Sequence, residues 1–190
     1  MNLEERMLVS LLAIAELLPE KERLIIAIDG RCASGKTTLA RILEARFDCN
    51  IFHMDDFFLR PEQRSEERLC RAGENVDHER FLAEVLIPIS KGEACSYRPY
   101  DCKTGTLLPP VTVEPKRISV VEGSYSCHPS LIDHYDLRIF SDVDPEEQMR
   151  RITERNGKEG AERFSSLWIP LEEKYFEFYD VASKCHLVLD

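Results

Sequence analysis

Residues 25–43 read IIAIDGRCASGKTTLARIL, and this stretch is the strongest fold signal in the chain. Its apolar beginning is typical of a buried strand, and the part from Lys36 onward is typical of a helix. Between them, residues 30–37 match the pattern G-x-x-x-x-G-K-[ST] of a phosphate-binding loop. Glycines let backbone N–H groups turn toward phosphates, Lys36 adds a cation, and the helix N-terminus adds its positive dipole end. The order strand, loop, helix therefore predicts a nucleoside triphosphate site.

The residues predicted to contact the nucleotide are Gly30, Ala33, Ser34, Gly35, Lys36, Thr37 and Thr38. The hydroxyl of Thr37 is expected to bind Mg²⁺. We expect Cys32 to be a small filler of the loop, because phosphoryl transfer to a hydroxyl needs no covalent step through the protein. The competing interpretation, a glycine-rich turn with an exposed lysine, is disfavoured by the flanking strand and helix.

Composition and charge limit the classes of function. The chain has 190 residues, of which 43% are hydrophobic and 32% charged, which suits one globular domain. A net charge of -10 argues against a nucleic-acid partner, because surfaces that track phosphate backbones are basic. No apolar run reaches the roughly 18 residues of a membrane span. The 7 cysteines are widely spaced and contain no C-x-x-C pair, so neither a disulfide framework nor a cysteine zinc site is indicated, and we expect a cytoplasmic location.

Residues 1–20 are expected to form an N-terminal amphipathic helix that packs on the domain. Apolar residues recur at nearly helical spacing, at Leu3, Met7, Leu11, Ile14 and Leu18. A secretory signal peptide is the alternative, but Glu4, Glu5 and Glu16 interrupt the basic and apolar regions that such a peptide needs.

Strands and helices are predicted to alternate along the rest of the chain, which indicates an α/β fold with a parallel sheet. The predicted strands cover residues 24–29, 49–54, 117–123, 137–143 and 185–190. The predicted helices cover residues 36–47, 77–89, 144–155 and 163–180. We expect Pro88 to end the second helix and Pro170 to kink the fourth. Residues 95–115 break the alternation and are predicted to form a small hairpin appended to the sheet.

Acidic residues follow two of these strands, at the edge of the sheet where ligands bind. Asp55 and Asp56 come after the second strand, where a carboxylate can accept the proton of a hydroxyl or hold metal-bound water. Neighbours on an extended segment point in opposite directions, so only one of the two is expected to face the phosphates. The alternative is an acidic pair that caps a helix. Glu122 ends the third strand and is either a Mg²⁺ carboxylate or a solvated strand end.

Residues 150–163 combine positive charge with glycines. Basic side chains surround the segment RNGKEG, at Arg150, Arg151, Arg155, Lys158 and Arg163. A flexible basic segment between two helices is typical of a lid that closes arginines over a transferring phosphoryl group. Alternatively, the arginines pair along the helix surface with Glu146, Glu147, Glu154 and Glu159.

Together these motifs resemble those of the uridine kinase-like branch of P-loop kinases, which includes uridine-cytidine kinases, nicotinamide riboside kinases, phosphoribulokinases and bacterial-type pantothenate kinases. The resemblance covers residues 24–180, and its most specific pieces are GRCASGKTT, HMDDFF, NVDHERF, YRPYD, VVEG and RRITERNGKEG. It is consistent with a single P-loop domain over residues 1–190, whose five-stranded parallel sheet we expect in the order 2-3-1-4-5, with the hairpin and the lid attached.

The resemblance also implies roles for single residues that contact the substrate. Asp55 corresponds to the base that receives the hydroxyl proton. Asp77 corresponds to an aspartate that holds ribose hydroxyls, and Tyr100 to a tyrosine that packs against the nucleobase. Arg150 and Arg155 correspond to arginines of the lid.

The expected catalytic residues are thus Lys36, Asp55 and Arg155, the expected metal ligands are Thr37 and Glu122, and the expected cofactors are ATP and Mg²⁺. Two departures from uridine-cytidine kinases concern the acceptor. The region after the hairpin tyrosine reads CKTG and lacks their base-reading histidine, and the lid has glycine and lysine where they have a further arginine.

We therefore expect a kinase that phosphorylates a hydroxyl of a small molecule, first of all the 5′-hydroxyl of a ribonucleoside such as uridine or cytidine. One alternative is a kinase for nicotinamide riboside, pantothenate or a sugar phosphate. Another is a nucleotide-dependent switch ATPase that acts on a protein partner. The sequence leaves a homo-oligomer open.

Overall fold

The computed structural model describes residues 1–190. The chain forms nine strands: β1 (Leu24–Gly30), β2 (Cys49–His53), β3 (Cys95–Tyr97), β4 (Tyr100–Asp101), β5 (Thr106–Leu107), β6 (Val111–Val113), β7 (Ile118–Glu122), β8 (Leu137–Ser141) and β9 (Leu187–Leu189). It also forms seven α-helices: α1 (Leu3–Leu17), α2 (Lys36–Arg46), α3 (Glu66–Leu69), α4 (His78–Phe81), α5 (Ile87–Lys91), α6 (Pro145–Arg163) and α7 (Ile169–Tyr179).

Five strands form one parallel sheet in the order β2-β7-β1-β8-β9. Counted along the chain among the strands of this sheet, the order is 2-3-1-4-5, and the predicted α/β fold is confirmed. The central strand is β1, which lies between β7 and β8 and is buried along its whole length. A strand covered on both faces needs apolar residues at successive positions, which explains why LIIAI shows no alternation.

Helices cover both faces of the sheet and close two separate cores. On one face, α1 and α2 pack against the sheet through buried side chains that include Ile14 and Leu39. On the other face, the core includes Phe57, Phe81 and Tyr175. No helix combines the length and the apolar character that a bilayer span requires.

Two prolines lie inside helical segments, and a π-helical turn precedes each of them. Pro88 follows the π turn Leu82–Leu86, and Pro170 follows the π turn Phe164–Trp168. A proline lacks an N–H and crowds the carbonyl four residues earlier, so a locally widened helix lets the chain continue. The prediction that a helix ends at Pro88 is therefore wrong, because helical structure continues to Lys91. The π turn before Pro170 is a distortion of the helix, and the kink expected at Pro170 stays a prediction.

The segment between α5 and β7 folds into two short antiparallel pairs. β3 pairs with β6, and β4 pairs with β5. Neither pair hydrogen-bonds to the parallel sheet, so the predicted hairpin forms but does not extend that sheet. Tyr97 anchors it by packing on Phe52 and Phe57, with ring centroids 6.1 and 5.1 Å away.

A buried carboxylate at the end of β1 joins three parts of the molecule. Asp29 is fully buried, and its Oδ1 accepts hydrogen bonds from the N–H groups of Gly30 at 2.7 Å and Tyr125 at 3.1 Å. Its Oδ2 accepts from the N–H of Cys127 at 2.7 Å and from the hydroxyl of Tyr175 at 2.8 Å. Burial raises the pKa of Asp29 to about 6, and these donors keep it from rising further. The carboxylate therefore ties the phosphate loop to the segment after β7 and to α7.

Asp29→Ala is expected to lower the free energy of unfolding by about 3 kcal/mol or more, because the buried N–H groups lose their acceptor and each loss costs about 1 to 3 kcal/mol. Urea unfolding followed by circular dichroism measures this change. Asp133→Ala, at an exposed position, is the matched control and should shift stability by less than about 0.5 kcal/mol. An unfolding midpoint like that of the wild type for Asp29→Ala would contradict the anchoring role.

Candidate active site

The phosphate loop, residues 30–37, connects β1 to α2 and depends on unusual backbone angles. Gly30 has φ of 131°, and a Cβ there would lie 2.0 Å from the carbonyl oxygen of Ser141. Gly35 has φ of 100°, and Ala33 has φ of 60°. Successive turns of this kind form the concave nest of N–H groups that binds anions.

The ammonium group of Lys36 folds back over this loop. Its Nζ donates hydrogen bonds to the carbonyl oxygens of Gly30 and Arg31, each at 2.7 Å, and the side chain is buried. The positive charge is thus held where the phosphate oxygens of a nucleotide would compete with the two carbonyls for it.

Two consecutive glutamates of α7 hold the phosphate loop from outside. Oε2 of Glu172 accepts a hydrogen bond from the N–H of Cys32 at 2.9 Å, and Oε1 accepts one from the Ser124 hydroxyl at 2.8 Å. Glu173 pairs with the guanidinium of Arg31 at 2.7 Å. Burial and, next, the charge of Glu172 raise the pKa of Cys32 to about 12, so the thiol stays protonated. Sequence analysis missed these contacts, because α7 reaches the loop across 140 residues of chain.

The first turns of α1 also support the loop. Nη1 of Arg6 donates to the carbonyl oxygen of Ser34 at 2.9 Å, and Nη2 donates to that of Asp142 at 2.8 Å. The N-terminal helix therefore contributes a cation to the outer side of the phosphate loop, a role that the sequence did not reveal.

Thr37 and Glu122, the predicted metal ligands, lie side by side. The Thr37 hydroxyl donates to Oε1 of Glu122 at 3.1 Å, and Nδ1 of His53 lies 2.6 Å from the same oxygen. The register of β2 against β7 brings His53 next to Glu122, and this hydrogen bond raises the pKa of His53. A hydroxyl and a carboxylate are oxygen donors of the kind that Mg²⁺ prefers, so the pair fits that ion. Sequence analysis had not identified His53.

The two carboxylates that follow β2 border the same cleft. Residues Met54–Phe57 form a 3-10 turn, so the alternation assumed for an extended segment does not apply to Asp55 and Asp56. The side chain of Asp55 is exposed at the cleft, but the surrounding protein displaces part of its water; this desolvation and, next, the charge of Glu122 raise the pKa of Asp55, and the nearby charge of Lys36 opposes the shift. A carboxylate with a raised pKa is a stronger proton acceptor while it remains ionised.

Arg150 and Arg151 are neighbours in α6, and only Arg151 borders the cleft. Arg150 lies outside the cleft and pairs on the exposed helix surface with Glu147 at 2.7 Å and with Glu154. Arg151 borders the cleft, where its Nη1 donates to the carbonyl oxygen of Ala33 at 3.0 Å. The substrate contact predicted for Arg150 thus has no support in its position, because the helical turn directs its side chain toward the surface glutamates.

The centre of the predicted lid is broken as its glycine suggests. Gly157 has φ of 72° and ψ of 179°, which are not helical values, and it divides α6 into two helical pieces. Arg155, just before this break, borders the cleft and stacks its guanidinium on Phe164, with 5.6 Å from the guanidinium carbon to the ring centroid. Closure of this segment stays a prediction.

Of the two residues predicted to hold the acceptor molecule, Tyr100 borders the cleft and Asp77 does not. Asp77 is buried outside the cleft, where it caps α4 by accepting from the N–H of Arg80 at 3.2 Å and also accepts from Nε2 of Gln63 at 2.8 Å. Its carboxylate is therefore occupied by the protein, and its position gives no support to a ribose contact. Tyr100 does border the cleft, with its hydroxyl 3.3 Å from Nη2 of Arg64.

The cleft has a volume of about 1040 Å³ and extends from the phosphate loop to the hairpin and α7. Asn75 and Tyr125 border it, and Nδ2 of the first and Oη of the second are buried; the side chain of Asn75 lies beside the phenol of Tyr125, but the two form no hydrogen bond of good geometry. Buried polar atoms without partners are uncommon in folded proteins and are candidates for contact with a ligand. The space suits a nucleotide together with a second small molecule.

Comparison with known proteins gives matches over most of the chain. The model of the Phosphoribulokinase / Uridine kinase family matches residues 25–162. A protein named uridine kinase from Oceanobacillus iheyensis is 28% identical over 161 residues, which are 79% of this chain and 75% of the relative. A uridine kinase from Ureaplasma parvum serovar 3 is 27% identical over 173 residues, which are 84% and 82% of the two chains.

Solved structures share the fold. A structure described as a possible uridine kinase from Bacillus stearothermophilus has a TM-score of 0.73 at 21% identity, with 100% of both chains covered. Phosphoribulokinase from Rhodobacter spheroides has a TM-score of 0.57 at 16% identity, with 86% of this chain and 68% of the other covered. At such identities the likeness shows the P-loop kinase fold alone.

Glu172→Ala is expected to weaken the binding of ATP about tenfold, because the loop N–H and the serine hydroxyl lose their common acceptor, a loss of about 1 to 2 kcal/mol. Isothermal titration calorimetry with ATP and Mg²⁺ measures the dissociation constant. Glu177→Ala, on the exposed side of the same helix, is the control and should bind as the wild type does. Equal affinities of the two variants would show that the loop does not need this support.

Proposed function

The chain belongs to the phosphoribulokinase and uridine kinase family, and we propose that it transfers the γ-phosphoryl group of ATP to the 5′-hydroxyl of a ribonucleoside. The single observation that carries the kinase reaction is the position of Asp55. Its carboxylate borders the same cleft as the phosphate loop and the pair Thr37 and Glu122. A proton acceptor beside a phosphate site is what transfer to a hydroxyl requires.

The phosphate loop binds the triphosphate in this proposal. The nest of N–H groups receives phosphate oxygens, and Lys36 exchanges its two carbonyl partners for oxygens of the β- and γ-phosphates. Thr37 and Glu122 hold Mg²⁺, which when bound supplies positive charge next to the phosphates. Arg151 and Arg155 add positive charge from α6, where negative charge grows on the γ-phosphoryl oxygens during transfer.

Asp55 receives the proton of the acceptor hydroxyl during transfer. Its pKa lies above the ordinary value because partial desolvation in the cleft and the charge of Glu122 disfavour the ionised form. This shift strengthens the carboxylate as a base, while the positive charge of Lys36 limits the shift.

A ribonucleoside as acceptor is supported by the relatives named uridine kinase and by the wall of the cleft. Tyr100 offers an aromatic ring, and Asn75 and Tyr125 offer an amide and a phenol that can bond ribose or base. Asp77 accepts hydrogen bonds from Gln63 and from the N–H of Arg80, so this proposal does not rely on it for the acceptor. Without a base-reading histidine, recognition of the ring depends on stacking and shape, which separate similar ligands by only about 1 to 3 kcal/mol.

The paired carboxylates give a matched test of the proton acceptor. Asp55→Asn is expected to lower kcat by roughly 10² to 10⁴ and to leave ATP affinity nearly unchanged, because general-base help is felt only in the transition state. Asp56→Asn, one residue on, should have a much smaller effect. Steady-state assays of ADP release and calorimetric ATP binding measure both quantities. If the two variants exchanged these effects, Asp56 would be the base.

An acceptor panel tests the substrate class. Uridine, cytidine, their 2′-deoxy forms, nicotinamide riboside, pantothenate, a sugar phosphate and a sample without acceptor are assayed for ADP release, with Lys36→Ala as the inactive control. We expect activity on uridine and cytidine, with kcat/KM for other bases within about 10- to 200-fold.

The panel also separates the alternatives. Activity on pantothenate or a sugar phosphate, with none on any ribonucleoside, would keep the kinase reaction and overturn the nucleoside assignment. ATP hydrolysis of equal rate without any acceptor would instead favour a switch ATPase.

A further inference from the structure

A second cluster of potential ligands lies outside the catalytic cleft and has no role in phosphoryl transfer. Glu74, His78 and His128 each place one ligand atom so that all three lie within 4.8 Å of one another. We propose that these residues bind a divalent transition metal of the zinc class, which joins the segment before α4 to the segment after β7. This proposal does not depend on the kinase activity.

The two imidazoles lack partners at the atoms that would bind the metal. Nε2 of His78 and Nε2 of His128 are both buried and make no hydrogen bond. Nε2 of His78 lies 3.4 Å from Oε2 of Glu74. This is close to the separation of about 3.3 Å between two ligands of a tetrahedral zinc ion, given zinc bonds of about 2.0 to 2.1 Å. Two buried orphan nitrogens beside a carboxylate are thus explained by an ion that all three share.

The outer contacts orient the imidazoles for this role. The hydroxyl of Ser130 lies 2.7 Å from Nδ1 of His128 and 2.9 Å from Nδ1 of His78. When the Ser130 oxygen accepts from Nδ1–H of His78, a lone pair is left free on Nε2 of that ring, the tautomer that a metal needs. The backbone N–H of Ser130 points to Nδ1 of His128 at 3.3 Å, so His128 must give up this contact when its Nε2 binds the metal. Nε of Arg68 lies 3.2 Å from Oε2 of Glu74, the same oxygen that faces His78, and fixes the position of the carboxylate.

Binding requires a modest movement of His128. Its ring is stacked on that of His78, with centroids 4.0 Å apart and planes 17° apart, so the two lone pairs are nearly parallel and the rings must splay to meet one ion. The ring of His128 packs closely on Gly73, where a Cβ would lie 2.9 Å from its Cδ2, so it can approach this segment only because residue 73 has no side chain. Two imidazoles and one carboxylate leave one tetrahedral position for water. Imidazole nitrogen favours zinc, cobalt or nickel over Mg²⁺.

The position of the cluster gives the metal a structural role. Asn75 follows Glu74 directly in the chain and borders the cleft, and Tyr125 lies on the segment that carries His128. A metal held by both segments fixes the wall of the cleft without contact with the phosphate loop.

The full chain, stripped with EDTA and dialysed, is titrated with Zn²⁺ or Co²⁺ and, separately, with Mg²⁺. We expect one equivalent of Zn²⁺ or Co²⁺ to bind and the melting temperature to rise by roughly 5 to 10 °C at one hundred times the dissociation constant. Mg²⁺ should not reproduce the shift. Bound Co²⁺ should give the visible absorption of a tetrahedral site without the near-ultraviolet band of a thiolate ligand.

Variants locate the bound metal. Glu74→Gln keeps the size of a half-buried side chain and His128→Gln removes an imidazole, and each should weaken Zn²⁺ binding at least tenfold. His134→Gln removes a histidine outside the cluster and should bind as the wild type does. Glu74→Gln keeps the test valid if His128→Gln fails to fold. Absence of Zn²⁺ and Co²⁺ binding, a thiolate band, or unchanged affinity in Glu74→Gln would overturn the proposal.

Discussion

The carboxylate of Asp29 lies where β1 passes into the phosphate loop and has no surface exposed to bulk solvent. The surrounding chain must therefore supply the donors, and two of them come from the segment after β7. To turn its N–H toward this carboxylate, Tyr125 adopts φ of 75°, an angle that residues with a side chain rarely take. The same turn places its ring in the wall of the cleft. The carboxylate of Asp29 thus positions both the phosphate loop and the part of the cleft wall that carries Tyr125.

The protein carries a net negative charge, yet its phosphate loop needs positive charge nearby. Carboxylates position the arginines that supply it. Arg31 is held by Glu173, and Arg151 is held by Glu147 at 2.7 Å while it also contacts the phosphate loop. Each such pair carries no net charge, and its carboxylate holds the long, flexible arginine side chain in one orientation. In this strongly negative molecule, such pairs therefore hold arginine side chains against the phosphate loop.

Much of the fold could be predicted from the sequence, because alternation of strands and helices and the spacing of the phosphate loop are local patterns. The same holds for the neighbouring positions of Thr37 and Glu122, since parallel strands end at a common edge. Local patterns do not show how a helix is rotated about its axis relative to its neighbours. This rotation places Arg151 rather than Arg150 at the cleft. Nor do they show that Asp77 is taken up by capping a helix, or that Glu172 reaches the loop from the far end of the chain.

The protonated thiol of Cys32 has a practical consequence for labelling the protein. Thiol-directed dyes react with the thiolate, and a cysteine whose pKa is near 12 offers almost none of it at neutral pH. Cys70, in contrast, is exposed at the end of α3. Cys102 is exposed as well and borders the cleft. A maleimide fluorophore will therefore attach at Cys70 and Cys102 and spare the phosphate loop, and Cys102→Ser leaves Cys70 as the exposed site from which nucleotide binding can be followed optically.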